Sequence, residues 1–371
     1  MRARWGVGLV VLLGLVLSGC QVAVDGAAGI SAVEREKADR RGEQRTAVDG
    51  ALQALAAAPA LAYGSTLKDG SGTAVELRFR ITKNGSAQGS LPIEGRVLQL
   101  VSADKQLYLA ASADYWKANG ANGSDQYGSS WVRADATGLP VDAPGLLSPA
   151  KAADALRRTL KLANPLAVPV RSKLADGTEV YDVAGPLGAL KVTTAKPYRL
   201  VSFAPAMLDG KTGAKLGAEL RVSPVGGDAL KKFQTDLENA VGGLGQPFDA
   251  LTQVSVVVLG EKIDCTDFVG NCSVNVDVVN TVVGTPAAKV HIKLNVEFSA
   301  DGLGGQNCAA EADAEADATT TMNCGVKFRL PNRTASYQVM AKPTATAELR
   351  APLDVNAVKQ RLQAEFAALG G

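Results

Sequence analysis

The sequence predicts a mixed α+β chain built as two units, each combining antiparallel sheet with flanking helices. Three observations lead there. Val75-Glu76-Leu77-Arg78-Phe79-Arg80-Ile81 places an apolar residue at every second position, the mark of a half-buried antiparallel strand. Leu230, Phe233, Leu237, Val241 and Leu244 return every third or fourth residue, the mark of an amphipathic helix. A chain of 371 residues with 46% hydrophobic content exceeds what one ordinary core covers and has enough apolar material for two. Aromatic residues supply only 5%, so Val, Leu and Ala must fill those cores.

Residues 1–19 read as an export signal. Arg2 and Arg4 lead a short apolar run from Val7 to Val16, and small residues precede Cys20. The run is shorter than the roughly 20 apolar residues that cross a bilayer; an ordinary signal peptide or a single anchor is the competing reading. The ending Leu17-Ser18-Gly19-Cys20 resembles a bacterial lipobox, which implies that Cys20 is acylated (palmitate) and becomes the first mature residue. On that expectation the protein is exported and lipid-anchored to the outer face of the cytoplasmic membrane, its first partner. Two or three acyl chains hold firmly where one holds marginally. Residues 20–44 then form a tether or frayed helix that sets the folded part off the membrane, because no apolar period runs through the charged stretch from Glu34 to Arg41.

The first folded unit is expected over residues 45–226. Thr46-Ala47-Val48-Asp49 has capping-box spacing, and Val48, Leu52 and Leu55 stripe a helix that ends before Pro59. The strand from Val75 to Ile81 meets a tight turn at Asn84-Gly85; Leu98, Leu100, Leu107 and Leu109 continue the alternation around a second turn at Ala103-Asp104. Ser148-Pro149 caps another helix, with Ala153, Leu156 and Leu160 on one face. Strands follow at Glu179 to Val183, Ala189 to Thr193 and Arg199 to Phe203.

The stretch from Leu107-Tyr108-Leu109 to Tyr115-Trp116, Trp131-Val132, the Ser148 helix, the segment from Gly185 to Val192, and Pro197-Tyr198-Arg199-Leu200 resemble actinobacterial lipoproteins of the LppX/LprG type, related in shape to the LolA/LolB carriers. The resemblance covers roughly residues 45 to 225. It implies a strongly curved, LolA-like antiparallel half-barrel closed by helices, which in several members encloses a hydrophobic cavity for acyl chains. Read from the residues themselves, Val75, Leu77, Phe79, Ile81, Leu98, Leu100, Leu107 and Leu109 face one way and form an apolar concave wall. Trp116 and Trp131 suit a cavity mouth or simple packing. Helices pressed onto the wall make it a core, whereas helices standing off it leave room for lipid tails; the alternation serves both.

Residues 227–250 are expected to be a connecting helix opened by Asp228, and a linker ended by Gly242-Gly243-Leu244-Gly245-Gln246-Pro247. Residues 251–371 are expected to be a disulfide-bonded β-sandwich of immunoglobulin-like shape. Its strands are Val254 to Leu259, then Cys272 to Val278, Val290 to Phe298 and Cys324 to Leu330, the last three alternating strictly. Cys265, Cys272, Cys308 and Cys324 are an even set, which in an exported chain reads as disulfides. Three pairings are open. Cys265 with Cys272 and Cys308 with Cys324 is favoured, because each closes a local segment between strand-like runs. A four-thiolate zinc site prefers short C-x2-4-C pairs, which are missing. A closing helix after Asp354, with Val355, Val358, Leu362, Phe366 and Leu369 on one face, is expected beside the Asp228 helix.

The chain carries a net +2, and without Arg2 and Arg4 it holds 37 basic and 37 acidic residues. No basic field remains to gather nucleic acid. The single histidine, His291, falls on the polar side of its strand and reads as a solvated residue. A Ser-His-Asp arrangement would rest on it alone, and a His-based zinc triad is excluded. No G-x-S-x-G elbow occurs. Gly210-Lys211-Thr212 reads as a turn, since Pro205 stands where a phosphate-binding loop needs glycine. Glu311-Ala312-Asp313-Ala314-Glu315-Ala316-Asp317 reads as a solvated hairpin or edge strand and not as a calcium loop. No catalytic residues, metal or cofactor are expected. The expected function is a membrane-anchored cell-envelope lipoprotein that binds or shuttles an acylated or other hydrophobic molecule, a lipid or lipoglycan, with an envelope protein as a further partner. The alternative is a non-enzymatic surface structural or protein-interaction module with filled cores.

Overall fold

A computed structural model describes residues 31–68, 74–93, 96–118, 127–128, 130–135, 142–161, 169–214, 216–266, 269–284 and 289–370. The export signal, Cys20 and the tether up to residue 30 lie outside the described residues. So does the side chain of Val75, although its backbone belongs to a strand.

The first helix, α1, spans Ala32–Ala57, so the stretch from residue 32 takes the helical form of its two expected readings, and the helix starts ahead of Thr46. The Ser31 hydroxyl accepts the Glu34 amide at 3.2 Å and caps the helix. The exposed first turns need no apolar stripe, because Glu34–Lys37 and Glu36–Arg40 pair at three and four residues' separation, the spacing that supports a solvated helix. Apolar burial begins at Ala47 and Val48 and ends at Leu55.

An antiparallel meander follows: β1 (Ala60–Lys68), β2 (Ala74–Thr82), β3 (Ala87–Ile93), β4 (Arg96–Ala103) and β5 (Gln106–Ala110). The β4–β5 turn puts Asp104 and Lys105 at φ +52° and +61°, the type I′ geometry that matches strand twist. After α2 (Ala113–Ala118), β6 (Trp131–Ala134), α3 (Ala143–Leu147) and α4 (Pro149–Lys161) come β7 (Val170–Lys173), β8 (Glu179–Gly185), β9 (Gly188–Thr193) and β10 (Leu200–Phe203). The segment α5 (Ala206–Ala214) is helical except at Asp209 and Gly210, so the turn expected at Gly210 is a break inside a short helix. Then come β11 (Leu220–Val225) and α6 (Gly227–Gly242). The inner face of this sheet, from β6 round to β8, shares one apolar core with α1 and α4.

The second unit is a sandwich of two three-stranded layers. β13 (Gln253–Cys265), β14 (Asn271–Val283) and β17 (Thr319–Lys327) make one; β15 (Lys289–Ala300), β16 (Gly304–Ala314) and β18 (Val339–Arg350) make the other. Six described strands fall short of the seven in an immunoglobulin constant pattern. Val274, Val276 and Val278 face Val290, Ile292, Leu294 and Val296 in a separate core. Disulfides join Cys265 to Cys272 across the β13–β14 ladder and Cys308 to Cys324 between the layers.

A two-residue strand, β12 (Phe248–Asp249), joins the units. It runs parallel to β6 and antiparallel to β18, so the β15 layer continues into the first unit's sheet as fifteen strands. The last helix, α7 (Val355–Ala368), is capped by the Asp354 carboxylate. It was expected beside α6 but counted with the sandwich. Its packing belongs to the first unit: Val358, Leu362 and Phe366 join Leu230, Phe233 and Leu237 of α6 over Ala60, Val101 and Tyr108 on the sheet's outer face. Glu365 accepts the hydroxyls of Thr82 and Ser86, each at 2.6 Å.

Candidate functional site

Most of the apolar wall named from sequence comes together. Leu77, Phe79, Ile81, Leu98, Leu100, Leu107 and Leu109 are all buried, none more than 6% exposed. They share one face because residues two apart on a strand point the same way. Helices α1 and α4 pack against each other over this face, with α1 resting on β9 and β10. Tyr63 donates to the Leu147 carbonyl at 2.7 Å from within the same core, and burial pushes its phenol well above the ordinary range.

The two tryptophans separate. Trp116 lies inside, edge-on to Tyr115 and Tyr127 with ring centroids 5.3 and 5.4 Å apart. Trp131 is on the opposite face, because its neighbour Val132 pairs with Leu109 and points inward, which turns Trp131 toward the α6–α7 side. It is therefore no part of the inner apolar wall. Burial pushes the Tyr127 phenol up to about 12, with the Asp249 carboxylate adding to the shift.

Above the wall, α1 and α4 leave a cleft of about 380 Å³, within the range of small-molecule sites. Its floor is Val48, Leu52 and Leu160, all members of the inner core. Its rim holds Arg45, Arg157, Lys161 and Asp49, with Arg157 paired to Asp154 at 3.0 Å. The sequence reading missed these rim residues because each lies on the polar side of its helix, where charge is unremarkable; only the pairing of the two helices brings them together.

No family model and no curated protein matches this chain. Among solved structures it aligns with an exo-beta-1,3-galactanase from Phanerochaete chrysosporium at 8% identity, over 78% of this chain and 77% of that one, with a TM-score of 0.09. A score that low transfers neither fold nor activity.

The residues weighed for chemistry occupy the sandwich surface. His291 lies 2.8 Å from Asp313 and 3.4 Å from Glu311 on the outer side of β15 and β16. The acidic run forms the end of edge strand β16 and the turn after it. Among the described residues no group of three or more His, Cys, Asp or Glu side chains is placed to hold a metal ion, and no helix is long and apolar enough to cross a membrane. The most buried ion pair, Arg133 with Asp249, fixes β12 to β6. Asp249 also accepts the Leu251 amide at 3.0 Å and the Thr252 hydroxyl at 3.1 Å, a pattern that locks the junction between units.

Proposed function

We propose that the protein is an exported cell-envelope lipoprotein, anchored through acylated Cys20, whose first unit is a LolA-like half-barrel of the LppX/LprG type. It binds or shuttles an acylated or otherwise hydrophobic molecule and performs no reaction on it. The observation that carries this reading is the cleft between α1 and α4, whose apolar floor runs into the inner core beneath a cationic rim. That polarity fits an acyl chain below and an anionic headgroup above. A curled sheet is supported by arithmetic: ten strands from β6 to β8 laid flat would spread over about 45 Å at ~4.8 Å spacing. Their inner residues nevertheless share one core under helices about 10–12 Å across.

Native mass spectrometry of the purified protein is the test. A co-purifying lipid that is displaced by Leu160→Trp, which fills the cleft, upholds the carrier reading. Loss of palmitate labelling and membrane retention in Cys20→Ser checks the anchor. The second reading, a structural or interaction module with filled cores, is favoured by the near-complete burial of Leu98, Leu100 and Leu109. It requires no lipid in the parent protein and a loss of about 1 to 3 kcal/mol in Leu100→Trp through overpacking.

A further inference from the structure

Where two hairpins of the first sheet end beside the start of α4 lies a cleft of about 370 Å³. Strand register builds it. Ala87 of β3 pairs with Ser102 of β4, and Ser102 pairs in turn with Leu107 of β5. The β2–β3 turn that carries Lys83 therefore stands next to the β4–β5 turn that carries Lys105, at one end of the sheet. The hydrogen bond from Tyr63 to the Leu147 carbonyl holds the α3–α4 corner to the sheet's inner face, and that corner, with Ser148 and Lys151, closes the cleft.

Lys83, Lys105 and Lys151 surround this space, and among the described residues no carboxylate lines it. Among those residues, too, none of the three ammonium groups has an ion-pair partner. Neighbouring acids are engaged elsewhere: Asp104 pairs with Arg361 at 2.7 Å, Asp142 caps α3 through the Gly145 amide at 2.9 Å, and Glu365 holds the Thr82 and Ser86 hydroxyls from the α7 side. Lys151 stands in the first turn of α4, which carries no acidic residue. A cation there opposes the positive end of the helix dipole, where an anion is favoured. Two hydroxyls add a second kind of donor. Ser102 turns inward with buried Leu100, two residues before it on the strand, and Ser148 sits at the α3–α4 corner. Each is only 7% exposed, and both line the cleft. Among the described residues neither hydroxyl makes a hydrogen bond, a state that buried polar groups rarely keep. Like charges gathered around a recess and idle donors within it are both unfavourable, and one bound oxyanion relieves both.

We infer that this cleft binds a phosphate group, free or as part of a larger ligand, with Lys83, Lys105 and Lys151 around it and the Ser102 and Ser148 hydroxyls donating to it. Donors converging from two turns and a helix start suit a tetrahedral oxyanion with several charged oxygens, which lysine meets as a point charge. The site is separate from the α1–α4 cleft. Lys151 and Lys161, which rims that cleft, stand about 15 Å apart along α4 at ~1.5 Å per residue, and neither site needs the other.

The test titrates the full-length protein calorimetrically with inorganic pyrophosphate and with dihexanoyl phosphatidylglycerol, a water-soluble lipid. Binding of at least one probe is expected, weakened about 10-fold by Lys151→Gln and by Lys105→Gln, the worth of one charged contact. Lys262→Gln, at an exposed position on the sandwich, should leave it unchanged. Ser102→Ala removes a donor and no charge, and should also weaken binding, which a diffuse attraction to lysines would not produce. The bound probe should raise the melting temperature of the parent more than that of Lys151→Gln, and the same melting curves show that every variant folds. Tighter binding of pyrophosphate identifies a free phosphate ligand, and tighter binding of phosphatidylglycerol identifies a lipid headgroup. The inference is overturned if neither probe binds, if Lys262→Gln weakens binding as much as Lys151→Gln, or if Lys151→Gln and Ser102→Ala leave binding unchanged.

Discussion

Truncating Phe366, near the C-terminal end, should destabilise the first unit and not the sandwich that precedes it. The ring is fully buried and meets Phe233 edge-on, centroids 5.4 Å apart. A buried phenyl side chain covers about 150–250 Å², which at ~25 cal/mol per Å² gives roughly 4 to 6 kcal/mol. That is an upper bound, since unfolded chains already hide some apolar area, and Phe→Ala changes in cores cost about 3 to 5 kcal/mol. For a unit of roughly 200 residues each kcal/mol lowers Tm by about 2–4 °C, so Phe366→Ala should melt about 6–20 °C lower. Circular dichroism gives the melting temperature, and hydrogen exchange read by mass spectrometry gives the location. Amides of α6 and of β4, which carries Val101 beneath the helix pair, should lose protection while β14 keeps its own. An unchanged Tm, or loss in β14 with β4 intact, would refute the assignment of α7 to the first unit.

Three other outcomes are expected. Asp249→Ala strips the partner from the buried Arg133 guanidinium and should cost about 3 to 5 kcal/mol in urea unfolding; a cost under ~1 kcal/mol would show the pair is not what fixes β12. Glu348 is nearly buried, and although burial acts to raise its pKa, hydrogen bonds and charge from Lys293 and Arg350 hold it below its ordinary 4.5. A depressed folded pKa means that its contribution to stability is present above about 4.5 and is lost as pH falls through the folded value. Glu348→Gln should therefore flatten that acid limb in unfolding curves taken from pH 6 down to about 3, and an unaltered limb would count against the pairing. Replacing Cys308 and Cys324 together by alanine opens a 16-residue segment and should cost about 3 kcal/mol of sandwich stability, which differential scanning calorimetry would register as a lower melting temperature for the sandwich.

The inner cores were legible because alternation is a local property. Val290 to Phe298 and Leu107 with Leu109 show which residues turn inward without reference to any partner. Local turns were legible for the same reason: Asn84-Gly85 closes β2 onto β3. The reach of α1 was legible in part. Ser31-Ala32-Val33-Glu34 has the capping-box spacing, but the following turns, exposed up to Arg40 except for half-buried Lys37, carry no apolar period. What the sequence hides is long-range. Nothing local to Trp131 says that its neighbour pairs with Leu109 and takes the inner face. The α1–α4 rim became visible only when two separate helices met.

The adjacency of Phe248 and Arg350 bears on how the molecule assembles. These residues are register partners, yet roughly 100 residues lie between them, and bringing the ends of such a loop together costs on the order of 4 kcal/mol in chain entropy. Folding of the sandwich removes that cost in advance, since its first and last strands already sit at the seam. Helix α7 is then delivered a few residues from α6 and docks as a near neighbour. Any lesion that loosens the sandwich restores the long loop. It therefore weakens the hold of α7 on the outer core without altering a single contact there, so the sandwich governs from a distance how firmly the first unit stays shut.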